Sequence, residues 1–117
     1  MKFEDVKENM WVQYDNSPVW IYETTDTHCR AQRRVTGLEY LILYHEDFEN
    51  KDITNIEPPK YSLNETFLYV GRRIELRDKL ATIKAMDEDS VVLPYGVVID
   101  ATTKLWVTPF ELQPINY

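Results

Sequence analysis

The sequence LILYHEDFENKDITNIEP at residues 41–58 joins an apolar strand to an aromatic and acidic corner and then to a hydrophobic-x-proline ending. A similar phrase, WVTPFELQP, occupies residues 106–114. A shift of 56 positions brings the two phrases together and pairs Ile42 with Val98. This recurrence predicts that one small module is used twice.

Short runs of alternating apolar and polar residues, separated by turn residues, extend on both sides of residues 41–58. With a period of two, Val19 and Ile21 share one face of a predicted strand, and Trp20 and Tyr22 share the other. The predicted strands lie at residues 10–14, 19–22, 28–34, 38–44, 91–93 and 97–99. Many short strands at roughly ten-residue spacing predict an all-β fold.

A second shift, of 62 positions, aligns the earlier parts of the two halves and pairs Val12 with Ile74. About 50–55 residues per unit suit a small five-stranded barrel, whose core alone is thin. We therefore predict two tandem barrels packed together, at residues 1–58 and 66–117, with a linker at residues 59–65.

The composition is that of a globular protein, with 44% hydrophobic residues and a formal net charge of −7 over 117 residues. Residues 1–58 carry −6 of this charge, and nucleic-acid-binding domains usually present a basic face, so a protein partner is favoured. The sequence lacks an apolar run of about 18 residues, which predicts no membrane association. Cys29 is the single cysteine, which excludes an intramolecular disulfide and favours a reducing, cytoplasmic location.

The order of strands and turns, ending in an aromatic corner and a hydrophobic-x-proline sequence, resembles the Tudor and KOW-type small barrels, which are Src-homology-3-like. In the first unit, residues 20–22 (WIY) and 44–50 (YHEDFEN) are similar to the Tudor pattern of aromatic residues and an asparagine around a pocket. The resemblance implies a cage walled by Tyr14, Trp20 or Tyr22, Tyr44 and Phe48, with Asn50 as its polar member. The sequence departs from the pattern at Glu49, where glycine is usual, and by one extra residue between Tyr44 and Phe48.

The second unit resembles the KOW-type barrels at residues 70–76 and 109–115. Its positions that align with the cage are Leu76, Thr82, Lys84 and Asp100, so no aromatic cage is expected there. The second unit also holds the main basic concentration of the chain. Its members are Arg72, Arg73, Arg77, Lys79 and Lys84. Both a phosphate-binding track and a solvated face fit this composition.

An aromatic cage binds a cation through the ring quadrupoles, and nearby carboxylates strengthen the binding of a methylated lysine or arginine. The first unit has carboxylates beside its aromatic residues, at Glu46, Asp47, Glu49, Asp52 and Glu57. The same carboxylates could instead imitate DNA phosphates toward a basic partner. The aromatic residues could alternatively fill the core.

Catalytic chemistry has little support in the sequence. His28 and Cys29 are neighbours and would point to opposite faces of a strand, which leaves His45 and Cys29 as the remaining cysteine–histidine pair. The sequence has no metal-ligand spacing, phosphate-binding loop or dinucleotide motif. We therefore expect no enzyme activity, no cofactor and no metal.

Together these features predict a non-catalytic binding module. Its acidic, aromatic surface on the first barrel would engage a basic segment of a protein partner. One alternative is an acidic inhibitor or DNA mimic that targets a nucleic-acid enzyme, and another is a KOW-like nucleic-acid binder. Leu38, Leu41 and Leu43 place apolar side chains on both faces of one strand, which is also consistent with an oligomer.

Overall fold

The computed structural model describes residues 1–35 and 37–115. Within them the protein is all-β, with ten strands, one short α-helix and three 3-10 helices. The chain divides into two compact units, one formed by Met1–Arg34 and Leu38–Glu57 and the other by Val35–Gly37 and Pro58–Tyr117. In the described part of the chain, no helix is long and apolar enough to span a membrane.

The first unit contains one five-stranded antiparallel sheet. Its elements are the 3-10 helix Phe3–Asp5, β1 (Met10–Tyr14), β2 (Ser17–Thr24), β3 (His28–Arg33), β4 (Glu39–Tyr44), α1 (His45–Asn50) and β5 (Thr54–Asn55). The strand order is β4-β3-β2-β1-β5. Asp15 and Asn16 close the first hairpin at φ values of 50° and 60°, which these two residue types tolerate better than most. Val12 pairs with Val19, and both side chains are fully buried in the core of this unit.

The second unit contains another five-stranded antiparallel sheet. Its elements are β6 (Thr66–Tyr69), the 3-10 helix Ile74–Leu76, β7 (Leu80–Met86), β8 (Tyr95–Ile99), β9 (Thr103–Val107), the 3-10 helix Pro109–Glu111 and β10 (Leu112–Gln113). The strand order is β10-β6-β7-β8-β9. Alternate residues of β7, Ala81 and Ile83, are fully buried in its core.

The two sheets share one topology. In each sheet the first strand lies between the second strand and the short last strand, and a helical turn joins the fourth strand to the last. β2 and β7 both have a bulge, between Ile21 and Glu23 and between Ile83 and Ala85. Matching the bulges relates β2 to β7 at a shift of 62 positions, as the sequence predicts.

Neither sheet is closed into a barrel. Among the described residues, β4 and β5 form the two edges of the first sheet, and β9 and β10 form those of the second. β5 and β10 have two residues each, and each pairs with one neighbour, β1 or β6. Because such short strands form few ladder hydrogen bonds, they do not bridge to the opposite edge. The predicted closed barrels are thus corrected to two open five-stranded sheets.

β6 also corrects the alignment of the two halves. The sequence pairs Val12 with Ile74, but Ile74 lies in a 3-10 helix that follows β6. Phe67 occupies the position of Val12 instead, because it pairs with Ala81 as Val12 pairs with Val19. Compared with the first unit, the second unit therefore has additional residues between its first two strands, β6 and β7.

Two further local predictions are wrong. Residues 91–93 form bends rather than a strand, because the Leu93 N–H donates to the Ser90 hydroxyl and Pro94 has no N–H for a ladder. The shift of 56 also fails, since Ile42 lies on the fourth strand of its sheet and Val98 on the third strand of the other. The aromatic and acidic corner takes the form of the helix α1.

Candidate functional site

The outer face of the first sheet, meaning the face opposite its core, holds most of the exposed aromatic side chains of this unit. Since Val19 and Ile21 point into the core, Trp20 lies on the outer face of β2, as predicted. Tyr22 occupies the bulge, and its ring centroid lies 5.7 Å from that of Trp20. Both side chains are half-buried.

The most exposed apolar residues of this face lie along β4. We define the β4 stripe as Tyr40, Ile42 and Tyr44 of β4 together with Leu38, which directly precedes the strand; their exposed fractions are 64%, 50%, 46% and 46%. The alternate residue Leu43 is buried, so the stripe follows the two-residue period of a strand. Among the described residues β4 pairs with β3 alone, which makes it an edge strand. The sequence analysis did not single out Tyr40 or Ile42, although their alternation with Leu41 and Leu43 was the available signal.

The five predicted cage walls do not surround one pocket. Tyr14 and Phe48 are buried in the core, whereas Trp20 and Tyr22 lie on the outer face. Tyr44 is at the end of β4, with its ring centroid 5.9 Å from that of His28, which faces it across the strands. The structure therefore brings the predicted walls together only as the pair Trp20 and Tyr22.

Tyr14 has a packing role with one polar contact. Its hydroxyl accepts a hydrogen bond from Lys51 Nζ at 2.7 Å, and the same Nζ lies 4.9 Å from its ring centroid. This hydrogen bond is the main cause that raises the pKa of Lys51. Asn50, the predicted polar member of the cage, is exposed at the end of α1.

The predicted carboxylates divide into one structural residue and several exposed ones. Asp47 Oδ2 accepts the backbone N–H of Tyr44 at 2.8 Å and thereby caps α1. Glu46, Glu49 and Asp52 are exposed, and none of them forms an ion pair within the described part of the chain. The end of the β4 stripe therefore adjoins a short helix with unpaired negative charge.

Ion pairs and hydrogen bonds offset much of the predicted basic concentration. Arg73 Nε lies 2.8 Å from Glu75 Oε1, and Lys79 Nζ lies 3.1 Å from Asp100 Oδ2. Arg77 Nε donates to the carbonyl of Gly71 at 2.7 Å. Arg72 is exposed. Two of the five basic residues, Arg73 and Lys79, are thus paired with carboxylates.

The outer face of the second sheet forms a different surface. The strand registers match Tyr22 to Lys84, Tyr40 to Lys104 and Ile42 to Trp106. This face has a concave site of about 420 Å³. Its lining includes Lys84, Ala85, Gly96, Lys104 and Trp106. The sequence analysis placed Lys84 in the basic concentration and did not associate it with Trp106.

A buried carboxyl group supports the second sheet from its core side. Glu111 accepts the backbone N–H of Thr108 at 2.9 Å, and its other oxygen accepts the Tyr69 hydroxyl at 3.1 Å. Burial raises the pKa of Glu111, and these hydrogen bonds oppose part of that effect. Glu111 thus occupies in this unit the capping position that Asp47 occupies in the first.

Cys29 and His45, the cysteine–histidine pair left by the sequence analysis, have different surroundings. Burial, with the nearby charge of Asp47, raises the pKa of Cys29 to about 11, so its thiol stays protonated at neutral pH. His45 instead stacks on Phe3 with ring centroids 3.7 Å apart, and its Nε2 lies 2.9 Å from the carbonyl oxygen of Asp26. Within residues 1–35 and 37–115, no group of three His, Cys, Asp or Glu side chains is arranged to hold a metal ion.

No protein-family model matches this chain, and no curated protein or solved structure matches it significantly.

Proposed function

We propose that this protein is a non-catalytic binding module in which the β4 stripe receives an extended, basic segment of a protein partner. The observation that carries this proposal is the alternation of three large exposed side chains, Tyr40, Ile42 and Tyr44, along an edge strand. The proposal keeps the acidic, aromatic surface of the first unit as the binding surface. It moves the centre of that surface from the cage residues to β4.

An edge strand offers two kinds of contact to an extended segment. Its free backbone groups can pair with a further strand, and its alternate side chains can form apolar contacts with that strand. Tyr40 and Tyr44 supply aromatic rings with a polar tip, and tyrosine is among the residues that often dominate interface energies. A contiguous apolar stripe on an edge strand is therefore better suited to a partner than to bulk water.

The charges around the stripe favour a basic segment. α1 begins directly after Tyr44 and carries Glu46 and Glu49, both exposed and without an ion pair in the described residues. Arg30, which faces Ile42, is balanced by Glu23 at 3.6 Å. Lysine or arginine side chains of a bound segment would meet uncompensated carboxylates at this end of the stripe, which raises the association rate.

We also propose that each unit is an open relative of the Src-homology-3-like small barrels, and that the protein acts in the cytoplasm. The shared strand order supports the first part, since the first strand pairs with both the second and the last, and a helical turn precedes the last strand. The single buried Cys29 supports a reducing location.

The proposal can be tested with a synthetic peptide of about eight residues, a common strand length, in which valine and lysine alternate. We expect this peptide to bind with an affinity that falls as salt rises, and a matched peptide with glutamate in place of lysine not to bind. The double variant Tyr40→Ser, Ile42→Ser should weaken binding of the lysine peptide by roughly 2 kcal/mol. Leu63→Ser, at an exposed leucine of the second unit, is the control and should leave the affinity unchanged.

Equal binding of both peptides, or no effect of the double variant, would contradict the proposal. The DNA-mimic alternative assigns the binding to the carboxylates alone and gives the β4 stripe no role. It predicts that Glu46→Lys with Glu49→Lys abolishes binding of a basic partner while the double variant at Tyr40 and Ile42 leaves it intact.

A further inference from the structure

The outer face of the second sheet has unneutralised positive charge around an exposed indole. Lys104 lies on β9 two residues before Trp106, and Lys84 lies in the bulge of β7. Lys84 Nζ donates to the neutral side chain of Asn64 at 3.1 Å. Within the described residues, neither lysine forms an ion pair with a carboxylate. Both ammonium groups are therefore available to an anionic ligand.

Trp106 presents a broad apolar surface in the same site. Its side chain is 47% exposed, and on the strand register it faces Gly96, which in turn faces Ala85. A Cβ built on Gly96 would lie 3.4 Å from two indole carbons and 3.1 Å from the Cβ of Ala85. The indole thus lies over the backbone of β8, at van der Waals distance from the position of a Gly96 Cβ. The result is a shallow site with an apolar floor and an aromatic wall.

We propose that this site binds nucleotides, with a nucleobase stacked on Trp106 and phosphate groups held by Lys84 and Lys104. Bases stack on aromatic side chains whatever their sequence, because every base has a π-face. Lysine ammonium groups bind phosphates as mobile point charges, which suits two lysines on different strands. An acidic peptide without aromatic side chains would satisfy the lysines but would have no planar group for the indole and the flat floor beside it. The binding chemistry is therefore that of a planar ring joined to phosphate, and it is independent of the β4 stripe.

The test uses a labelled deoxythymidine oligonucleotide of about eight residues, within the usual size range for one small binding fold. We expect binding at low salt, with two phosphate contacts giving a log–log salt slope of about −1.4. Trp106→Ala should weaken binding about tenfold or more, while Trp106→Phe should retain part of the stacking and most of the affinity. Because Trp106 is exposed, the circular dichroism spectra of both variants should match that of the parent protein.

Charge is tested with two variants that change the net charge equally. Lys104→Gln should weaken binding and make its salt slope shallower, whereas Lys60→Gln, at an exposed lysine outside the site, should change neither. Gly96→Ala, whose added methyl would crowd Ala85 and touch the indole only at van der Waals distance, should reduce the affinity by less than Trp106→Ala does.

Thymidine monophosphate in a parallel titration distinguishes the two sources of the ligand. Stronger binding of the oligonucleotide indicates a single strand, and equal binding indicates a free nucleotide; either result supports the site. The proposal is overturned if no binding occurs at low salt or if Trp106→Ala has no effect. It is likewise overturned if Lys60→Gln weakens binding as much as Lys104→Gln, or if an oligoglutamate peptide competes as well as the nucleotide.

Discussion

The two sheets of this protein have the same strand order and the same bulge, yet their outer faces carry different chemistry. The first exposes Tyr40 and Ile42 where the second has Lys104 and Trp106. The topology determines where an edge strand and a bulge bring side chains together, and the side chains determine which ligand those positions can bind. We therefore attribute different proposed ligands to one repeated architecture.

The polar contacts of the core tyrosine and of the capping carboxylate also differ between the two units. In the first unit the hydroxyl of the core residue Tyr14 accepts a hydrogen bond from Lys51, and the capping carboxylate of Asp47 is half-buried. In the second, Tyr69 bonds the capping carboxylate itself, the buried Glu111. The second unit thus has a buried polar network in its core, whereas the first has its polar contacts near the surface.

The largest expected loss of stability comes from a side chain that crowds the hydrogen bond between Tyr69 and Glu111. A Cβ on Gly71 would clash with Glu111 Oε2 and lie 2.5 Å from Tyr69 Cζ. Gly71→Ala should therefore lower the free energy of unfolding of the second unit by about 3 kcal/mol, as overpacking does. Amide hydrogen exchange of β6–β10 measures this loss. Gly37→Ala is the matched control, because a Cβ there has no atom within 4 Å, and equal effects of the two variants would contradict the account.

A smaller effect is expected at the capping carboxylate of the first unit. Asp47→Ala removes the acceptor of the Tyr44 N–H and should cost about 1 kcal/mol, as the loss of a helix cap does. Glu49→Ala, on the exposed side of the same helix, should change stability by less than about 0.5 kcal/mol. Hydrogen exchange of the α1 and β4 amides measures both changes in stability. If Asp47→Ala is as mild as Glu49→Ala, the assigned capping role is wrong.

The smallest expected effect is a change in how the free energy of unfolding of the second unit depends on pH. Burial raises the pKa of Glu111 above its ordinary value of 4.5, so the folded state binds this proton more tightly than the unfolded state does. The contribution of Glu111 to stability is then greatest below pH 4.5 and is lost as the pH rises through its raised pKa. Glu111→Gln should remove this part of the pH dependence, and thermal unfolding across that range would reveal it. If the stability of Glu111→Gln and that of the parent protein depended on pH in the same way, the raised pKa of Glu111 would be contradicted.

Local alternation predicted much of the fold, because a two-residue period is visible in the sequence. It located β1 to β4 closely and assigned Val19 and Ile21 to the core and Trp20 to the opposite face. The same alternation placed Tyr14 with Val12, whereas the resemblance to a cage placed Tyr14 at a binding surface; the structure buries both side chains.

Long-range pairing could not be predicted in the same way. Ile74 and Leu76 imitate the alternation of β1, but only the pairing of Phe67 with Ala81 identifies β6 as its counterpart. Lys84 and Trp106 are 22 positions apart in the sequence. The pairing of β7, β8 and β9 brings them to one site, which no local pattern reveals.

The most direct test of the central claim is a pair of titrations of the isotope-labelled chain of residues 1–117, followed by its amide chemical shifts. The alternating valine–lysine peptide should shift amides of β4 and α1, and the deoxythymidine oligonucleotide should shift amides of β8 and β9. Each ligand should leave the other sheet unchanged. If both ligands shift the same sheet, or if neither shifts an outer face, the assignment of two different ligands to the two sheets is contradicted.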